Sequence, residues 1–469
     1  MLASNMGRLI SPFVTIALAA ILTPEDFGIV AVSNLIVSLA LIFQDSGFGS
    51  ALVQRSVDQE QMRSLSFWFT LFTGLLLSII VYLLAPLIAV AMNDERLLLV
   101  LQIQCIQPLF INLSTVPMAI LRKDYRFKKM AGLQVFPALC PIMIALPIAL
   151  MGYGYWALVG SAIASSIIQA VVYWFVCPWR PGRLVWNGAS IEFLRSGITF
   201  SGNSLLAWLI RRCDILLFGF FGGIAGVGMY SLGKNLLLSI TRLLAAPFGS
   251  QALFSAYCES KDDRERLFAV AAKVVRLFSF VSVPVLVGIA LTSHLVVPLI
   301  FNEKWAGLEQ VIAILAISPS LFVLTVPYRF AIQAAGRPEL QMIINVITLI
   351  LLFLMGLYCA PRGLEMFLWG RFMVEIVLFG PQVFIISFVF DVKLKRILEP
   401  LMNAGLAGGI MAFCIGVFYW FSSFQINIWT ELLLVILSGS GIYLITYGIL
   451  DKRMLKQFFS ISRRAIYTG

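Results

Sequence analysis

The chain has 469 residues, 60% of them hydrophobic and only 12% charged, with a mean hydropathy of +0.94. So little polar surface cannot clothe a core of that size, which excludes a soluble globular protein. The net charge of +11 lies on basic residues between apolar runs, so it reports orientation in a membrane and excludes nucleic acid as a partner.

Runs of about 20 apolar residues, each long enough to cross a bilayer, recur from end to end. They predict an all-α polytopic membrane protein, because the strands of a β-barrel would alternate polar and apolar residues. The predicted spans are 2–22, 27–49, 64–92, 97–121, 129–151, 154–177, 191–221, 225–253, 272–301, 308–335, 339–358, 364–390, 401–421 and 428–450, about 14 in all. The opening MLASNMGRLISPFVTIALAA has the composition of a secretory leader. Its apolar run continues to Leu22, however, which predicts a first spanning helix instead.

Basic residues separate cleanly when loops are assigned to alternate sides. One side holds RKDYRFKK (122–129), Lys261 to Arg266, Lys393 to Arg396 and Lys452 to Arg464; the other holds Arg96, Lys304 and Arg362. The positive-inside rule then puts both termini in the cytoplasm. The 122–129 loop should lie near anionic lipid headgroups. Outer loops such as Thr23–Asp26, Asn93–Arg96 and Asn302–Gly307 are too short to form a domain.

The chain weakly repeats itself. Pro86-Leu87-Ile88 recurs as Pro298-Leu299-Ile300, and Val116-Pro117 as Val326-Pro327. Phe27-Gly28 followed by NLIVSL (34–39) is echoed by Val227-Gly228 followed by NLLLSI (235–240). Six helices separate equivalent positions, an even number that preserves orientation, so two parallel repeats are expected. The expected parts are a six-helix bundle over 1–177, a second over 178–390, and two further helices with a basic tail over 391–469. Pro108, Pro117, Pro137, Pro141, Pro147, Pro247, Pro284, Pro319 and Pro327 lie inside the runs, where proline kinks a helix.

The stretch from Ile191 to Phe254 carries Arg211, Arg212, Asp214, Lys234 and Arg242 inside two spans that meet at the glycine-rich corner Gly222–Gly228. A basic side chain at mid-membrane costs roughly 2.5–3.5 kcal/mol on insertion scales, so these are not expected to face lipid. One reading is the wall of an anion-accepting cavity. The other has Asp214 neutralising one arginine while the rest snorkel. Further intramembrane charges are Arg8, Asp45, Arg276, Arg329, and Arg371 with Glu375, which sit four apart and share a helix face. Glu375 or Asp214 could accept a proton when an anion leaves. Asn203, Ser204, Trp208, Asn235, Gln333 and Trp369 are candidate linings for sugars.

No enzymatic constellation is visible. His294 is the one histidine, and the seven cysteines are scattered singly with no CxxC pair, so neither a metal site nor a cofactor is expected. No P-loop and no GxSxG occur. A membrane glycosyltransferase or polymerase would need acidic residues on sizeable outer loops, and Glu25-Asp26, Asp94-Glu95 and Glu303 lie on short ones.

ILTPEDFGIVAVSNLIVSLALIFQDSGFGSALVQR (21–55), YRFKKMAG (125–132) and VPLIFNEKWAG (297–307) together resemble the Wzx-type polysaccharide flippase (PST) branch of the MATE-like transporter superfamily. The resemblance runs through the whole chain in helix number and order. It implies a V-shaped pair of bundles that moves a polyprenyl-pyrophosphate-linked oligosaccharide across the inner membrane. Polysaccharide polymerase and chain-length machinery are the implied partners. Lipid II flippases are more distant relatives. Against them MYSLGK (229–234) places Lys234 where they carry a cavity arginine, Arg8 matches their first-span arginine, and Asp45 matches an acidic residue ending their second span. Their second-span arginine pair is replaced here by Ala40 and Leu41.

The expected function is therefore export of a lipid-linked oligosaccharide by alternating access, with Lys234, Arg211, Arg212, Arg8 and Arg242 for the anion. Asp214, Glu375 and Asp45 are candidates for ion coupling, and Arg371, Arg329, Asn203, Trp208 and Asn235 for the cavity or gate. A cation-coupled multidrug exporter of the same superfamily is the alternative, disfavoured because basic residues outnumber acidic ones within the spans.

Overall fold

The computed structural model describes residues 2–45, 59–123, 127–183, 205–206, 208–245, 257, 263–421 and 427–452. Their regular structure is entirely helical. The helices are α1 Leu2–Ile21, α2 Pro24–Asp45, α3 Gln59–Ala91, α4 Arg96–Gln104, α5 Gln107–Lys123, α6 Phe127–Leu133, α7 Val135–Cys140, α8 Leu146–Leu150, α9 Trp156–Val176, α10 over 208–221, and α11 Ile224–Ala245. Then come α12 Arg264–Ile300, α13 Leu308–Ala334, α14 Pro338–Cys359, α15 Leu364–Phe390, α16 Leu394–Phe421 and α17 Ile428–Leu450. Among the described residues, eight helical stretches are long and apolar enough to cross a membrane, and three shorter apolar ones accompany them. The chain is thus a multi-pass helical membrane protein.

It divides into two compact units. The first comprises Met1–Leu232 with Ala360–Gly363. Its main packing runs α3 against α5 and α5 against α9. Leu65, Phe67, Val116 and Ile120 form one buried cluster with Trp174 and Trp179 against it. Another joins Leu18 of α1 and Leu22 just past its end to Ala145, Ala149 and Ala157.

Proline sets the breaks. The predicted span 129–151 is segmented: α7 passes through a π turn at Pro141–Ala145 into α8, with Pro141 and Pro147 each near a segment start. Proline offers no N–H to the preceding turn and crowds its carbonyl, so the ladder widens there. Likewise α4 stops at Gln104 and α5 begins at Gln107, just before Pro108.

The predicted outer loop Thr23–Asp26 is largely the first turn of α2. Pro24 suits the first helical position, and Thr23 and Asp26 cap the helix reciprocally. The Asp26 N–H donates to Thr23 Oγ1 (3.2 Å) while the Thr23 N–H donates to Asp26 Oδ2 (2.9 Å). Asp26 Oδ1 also accepts from the Tyr155 N–H at 2.9 Å, which fixes the turn before α9 to the start of α2. Beside it Arg96 donates from Nη2 to Asp94 Oδ2 (2.6 Å) and from Nη1 to Glu25 Oε2 (3.0 Å).

The second unit comprises Gly233–Cys359 and Leu364–Gly469. Its axis is the 37-residue α12, capped by Asp263, whose side chain accepts from the Arg266 N–H. One buried cluster takes residues from α12, α13, α15, α16 and α17, among them Phe278, Phe280, Tyr328, Ile386, Ile397, Met411 and Tyr443. The last two helices belong to this core: Tyr443 donates its hydroxyl to the Phe280 carbonyl at 3.0 Å. Arg276 of α12 reaches Glu399 of α16 at 3.6 Å and Asp451, just past α17, at 3.5 Å.

Candidate translocation site

In the first unit α10 is held on two sides. Trp208 is 6% exposed and donates its Nε1–H to Ser38 Oγ of α2 at 2.8 Å. Ser38 in turn donates to the Leu35 carbonyl. On the other side Asp214, 1% exposed, accepts from the Tyr230 hydroxyl of α11 at 2.6 Å. Its second oxygen accepts from the Ile215 N–H at 2.9 Å. A short bond from a phenol to a carboxylate is of the strong, charge-assisted kind, and Phe218 packs its ring 6.3 Å from that of Tyr230. Arg211 lies exposed and Arg212 half-buried, three and two residues before Asp214. The sequence-predicted group Trp208, Arg211, Arg212 and Asp214 therefore lies on one helix whose buried members fix its rotation.

The turn between α10 and α11 uses Gly223 at a φ of 73°, a left-handed conformation that favours glycine. Five residues farther on, Gly228 meets α2: a Cβ there would fall on the Pro24 carbonyl, and one on Gly28 would fall on the Ile224 carbonyl. Along α11, Lys234 is half-buried, and Asn235 and Arg242 are exposed.

A cavity of about 230 Å³ lies between α2, α3 and α10. Val32, Leu35, Leu87, Met92, Ile215 and Phe220 contribute to its wholly apolar lining, which suits hydrocarbon and offers nothing to an anion.

In the second unit Arg329 of α13 is half-buried and donates Nε–H to Gln341 Oε1 of α14 at 2.9 Å; Gln341 donates on to Asn345 Oδ1 at 3.2 Å. Thr325 donates to Gln382 Oε1 of α15 at 2.6 Å. Arg371 and Glu375 form the ion pair that their spacing predicts, at 3.1 Å along α15. Glu375 Oε2 is buried without a hydrogen-bond partner.

Asn203 and the side chains of Arg8 and Asp45 lie outside the described residues. Among the described residues, no group of three His, Cys, Asp or Glu side chains is arranged to hold a metal ion. Sequence reasoning missed Tyr230, Ser38, Asn34 and Gln104. Their signals were present: Tyr230 stands inside MYSLGK, Asn34 opens the repeated NLIVSL, and Gln104 belongs to the amide-rich QIQCIQ. Gln104 is fully buried and donates its Nε2–H to Asn34 Oδ1 at 2.8 Å.

Comparison with known proteins agrees with this architecture. The chain is 24% identical over 416 residues to the teichuronic acid biosynthesis protein TuaB of Bacillus subtilis (strain 168), covering 86% of this chain and 84% of that one. It is 24% identical over 335 residues to the lipopolysaccharide biosynthesis protein WzxC of Escherichia coli (strain K12), covering 70% and 67%. Among solved structures, the lipid II flippase MurJ superposes with a TM-score of 0.77 over 97% of this chain and 99% of that one, at 13% identity. A multidrug resistance MATE family transporter of the MOP superfamily gives a TM-score of 0.61 over 83% and 99%, at 16% identity. At these identities the structural likeness establishes the fold. The family model described as polysaccharide biosynthesis protein matches residues 17–310, well over half of the chain, and the chain belongs to that family.

Proposed function

We propose that the chain is a flippase, not a catalyst, and that it moves a polyprenyl-pyrophosphate-linked oligosaccharide from the inner to the outer leaflet of a bacterial cytoplasmic membrane by alternating access. The observation that carries this reading is membership of a polysaccharide biosynthesis family by a chain built throughout from membrane-spanning helices. The succinoglycan biosynthesis transport protein ExoT of Rhizobium meliloti (strain 1021), 24% identical over 322 residues, is named as a transport protein, which supports export over synthesis. Both termini lie in the cytoplasm, and a polysaccharide polymerase with its chain-length machinery takes over the product.

The charge distribution fits such cargo. A pyrophosphate loses hydration on entering a low-dielectric region, and fixed cations replace it. Lys234, Arg211 and Arg212 take the anion, with Arg8 and Arg242 along its path. The apolar cavity between α2, α3 and α10 suits a lipid chain and not a charged group. Asp214, buried and bonded to Tyr230, is the leading ion-coupling residue, ahead of Glu375 and Asp45. Trp208, held by Ser38, acts at a gate, while Asn203, Asn235, Arg329 and Arg371 line the path. Two six-helix halves, 1–177 and 178–390, provide the alternation, with 391–469 attached to the second.

Deleting the gene and following lipid-linked glycans tests the proposal. A flippase leaves one such glycan accumulating on the cytoplasmic face. No accumulation, together with new sensitivity to cationic drugs, would establish the multidrug-exporter reading instead. A purified chain that lengthens a lipid-linked glycan unaided would make it a polymerase.

A further inference from the structure

Asn34 stands ten residues into the 22-residue α2, about 15 Å along its axis and so near mid-membrane. Its side chain is exposed. A primary amide facing hydrocarbon would forfeit hydrogen bonds that nothing there can replace. The neighbouring hydroxyls avoid that cost by turning inward: Ser33 donates to the Val30 carbonyl and Ser38 to the Leu35 carbonyl. Asn34 does the opposite. It is held outward by Gln104, a residue with no exposure of its own, whose Nε2–H reaches Asn34 Oδ1 at 2.8 Å.

The arrangement is costly on the inner side as well. Gln104 Oε1 is buried with no hydrogen-bond partner. A buried amide with an unmatched oxygen sacrifices stability, and packing alone would favour leucine at that position. What the pair gains is orientation. Gln104 holds the exposed Asn34 side chain through Oδ1, and the two Nδ2–H donors of that amide are left for another acceptor. Gln104 can reach it because α4 ends there, at the break before Pro108.

We infer that Asn34 is a hydroxyl-binding point for the glycan of the substrate, and that Gln104 is the positioning residue that aims it. The inference rests on the flippase reading above. A neutral amide with N–H donors matches sugar hydroxyls, whereas the pyrophosphate calls for the cations on α10 and α11.

The test uses the full chain in liposomes and two probes. One is the lipid-linked oligosaccharide that accumulates in cells lacking the gene; the other is polyprenyl pyrophosphate without sugar, used as a competitor. Asn34→Leu raises the KM for the oligosaccharide tenfold or more and leaves inhibition by the bare pyrophosphate within twofold. Asn34→Gln recovers part of the affinity. Gln104→Leu raises KM severalfold with kcat unchanged, an effect a merely structural residue would not confine to KM. If the wild type moves the oligosaccharide and Asn34→Leu does so with an unaltered KM, the inference is wrong. It is equally wrong if both probes weaken together. A wild type that moves no lipid-linked glycan overturns the flippase reading itself. Should the leucine variants not fold, Asn34→Cys decides. A membrane-impermeant thiol reagent, read by mass spectrometry at that peptide, labels it, and the oligosaccharide protects it while the bare pyrophosphate does not. Failure to label, or protection by both probes, rejects the site.

Discussion

Gly28 and Gly228 occupy each other's missing side-chain space. A Cβ on Gly28 would overlap the carbonyl of Ile224, four residues before Gly228; a Cβ on Gly228 would overlap the carbonyl of Pro24, four residues before Gly28. The relation is the same in both directions, and the two glycines stand at equivalent places in the Phe27-Gly28 and Val227-Gly228 repeat. Two helices that approach this closely need small residues at the crossing.

Alanine at either position is therefore expected to overpack the crossing. Gly28→Ala or Gly228→Ala should cost about 1–3 kcal/mol, read as a lower thermal midpoint in detergent, and should slow transport. Gly288→Ala is the control, because a Cβ there meets nothing within 4 Å. Equal midpoints for all three variants would show that the crossing opens at no cost.

Lys234 is expected to be needed for its charge. Lys234→Ala should reduce export at least tenfold at equal expression, while Lys234→Arg keeps part of it. Normal export by the alanine variant would remove Lys234 from the anion path.

The Asp214–Tyr230 bond separates structural from coupling roles. Tyr230→Phe withdraws a donor from a carboxylate that is 1% exposed, which should lower stability by about 1–3 kcal/mol. Asp214→Asn keeps an oxygen able to accept from Tyr230. The amide nitrogen that replaces the other oxygen cannot accept from the Ile215 N–H, so stability should also fall, by about 1–3 kcal/mol, while any response of transport to a proton gradient disappears, a response that Tyr230→Phe should keep. Transport by Asp214→Asn that still follows the gradient would move the coupling role to another residue.

The outer-loop cluster predicts a pH dependence. The hydrogen bonds from Arg96 hold the Asp94 carboxyl below its ordinary range, and Asp94 with Glu25 raises the Arg96 guanidinium. A lowered carboxylate contributes stability that is present above its unfolded pKa, about 4, and lost as pH falls through the folded value. The midpoint difference between wild type and Arg96→Leu should be constant from pH 7 to about pH 4 and shrink below. Because Arg96 is 43% exposed, the difference should be small and weaken with salt. A difference that grows on acidification would contradict this origin.

How much of this was written in the sequence depends on the distance over which residues act. Hydropathy located the eight long apolar helices of the described residues because lipid acts on each run separately, and the four-residue spacing of Arg371 and Glu375 gave their 3.1 Å pair directly. Pro141 and Pro147 marked the segmented fifth span, but the π turn between them depends on how α9 packs beside it. The bond between Asp214 and Tyr230 joins two helices through the corner at Gly223, and no periodicity within either helix announces it. Trp208 looked like a wall for sugars; it lies buried against Ser38, 170 positions away in the chain. Asn34 was visible only as the first letter of a repeated motif, because what marks it out is Gln104, brought from a different helix.

The grip of Arg276 on Glu399 and Asp451, with the Tyr443 hydroxyl on the Phe280 carbonyl, bears on how the protein can be handled at the bench. A chain cut after Phe390 would strip Met411, Ile415, Val435, Tyr443 and Tyr447 from the buried cluster around α12 and leave the aromatic flank of that helix bare. Shortened expression forms that discard the final helical hairpin are therefore poor candidates for purification. A reporter fused beyond Asp451 should brighten only when the second unit has closed around α12.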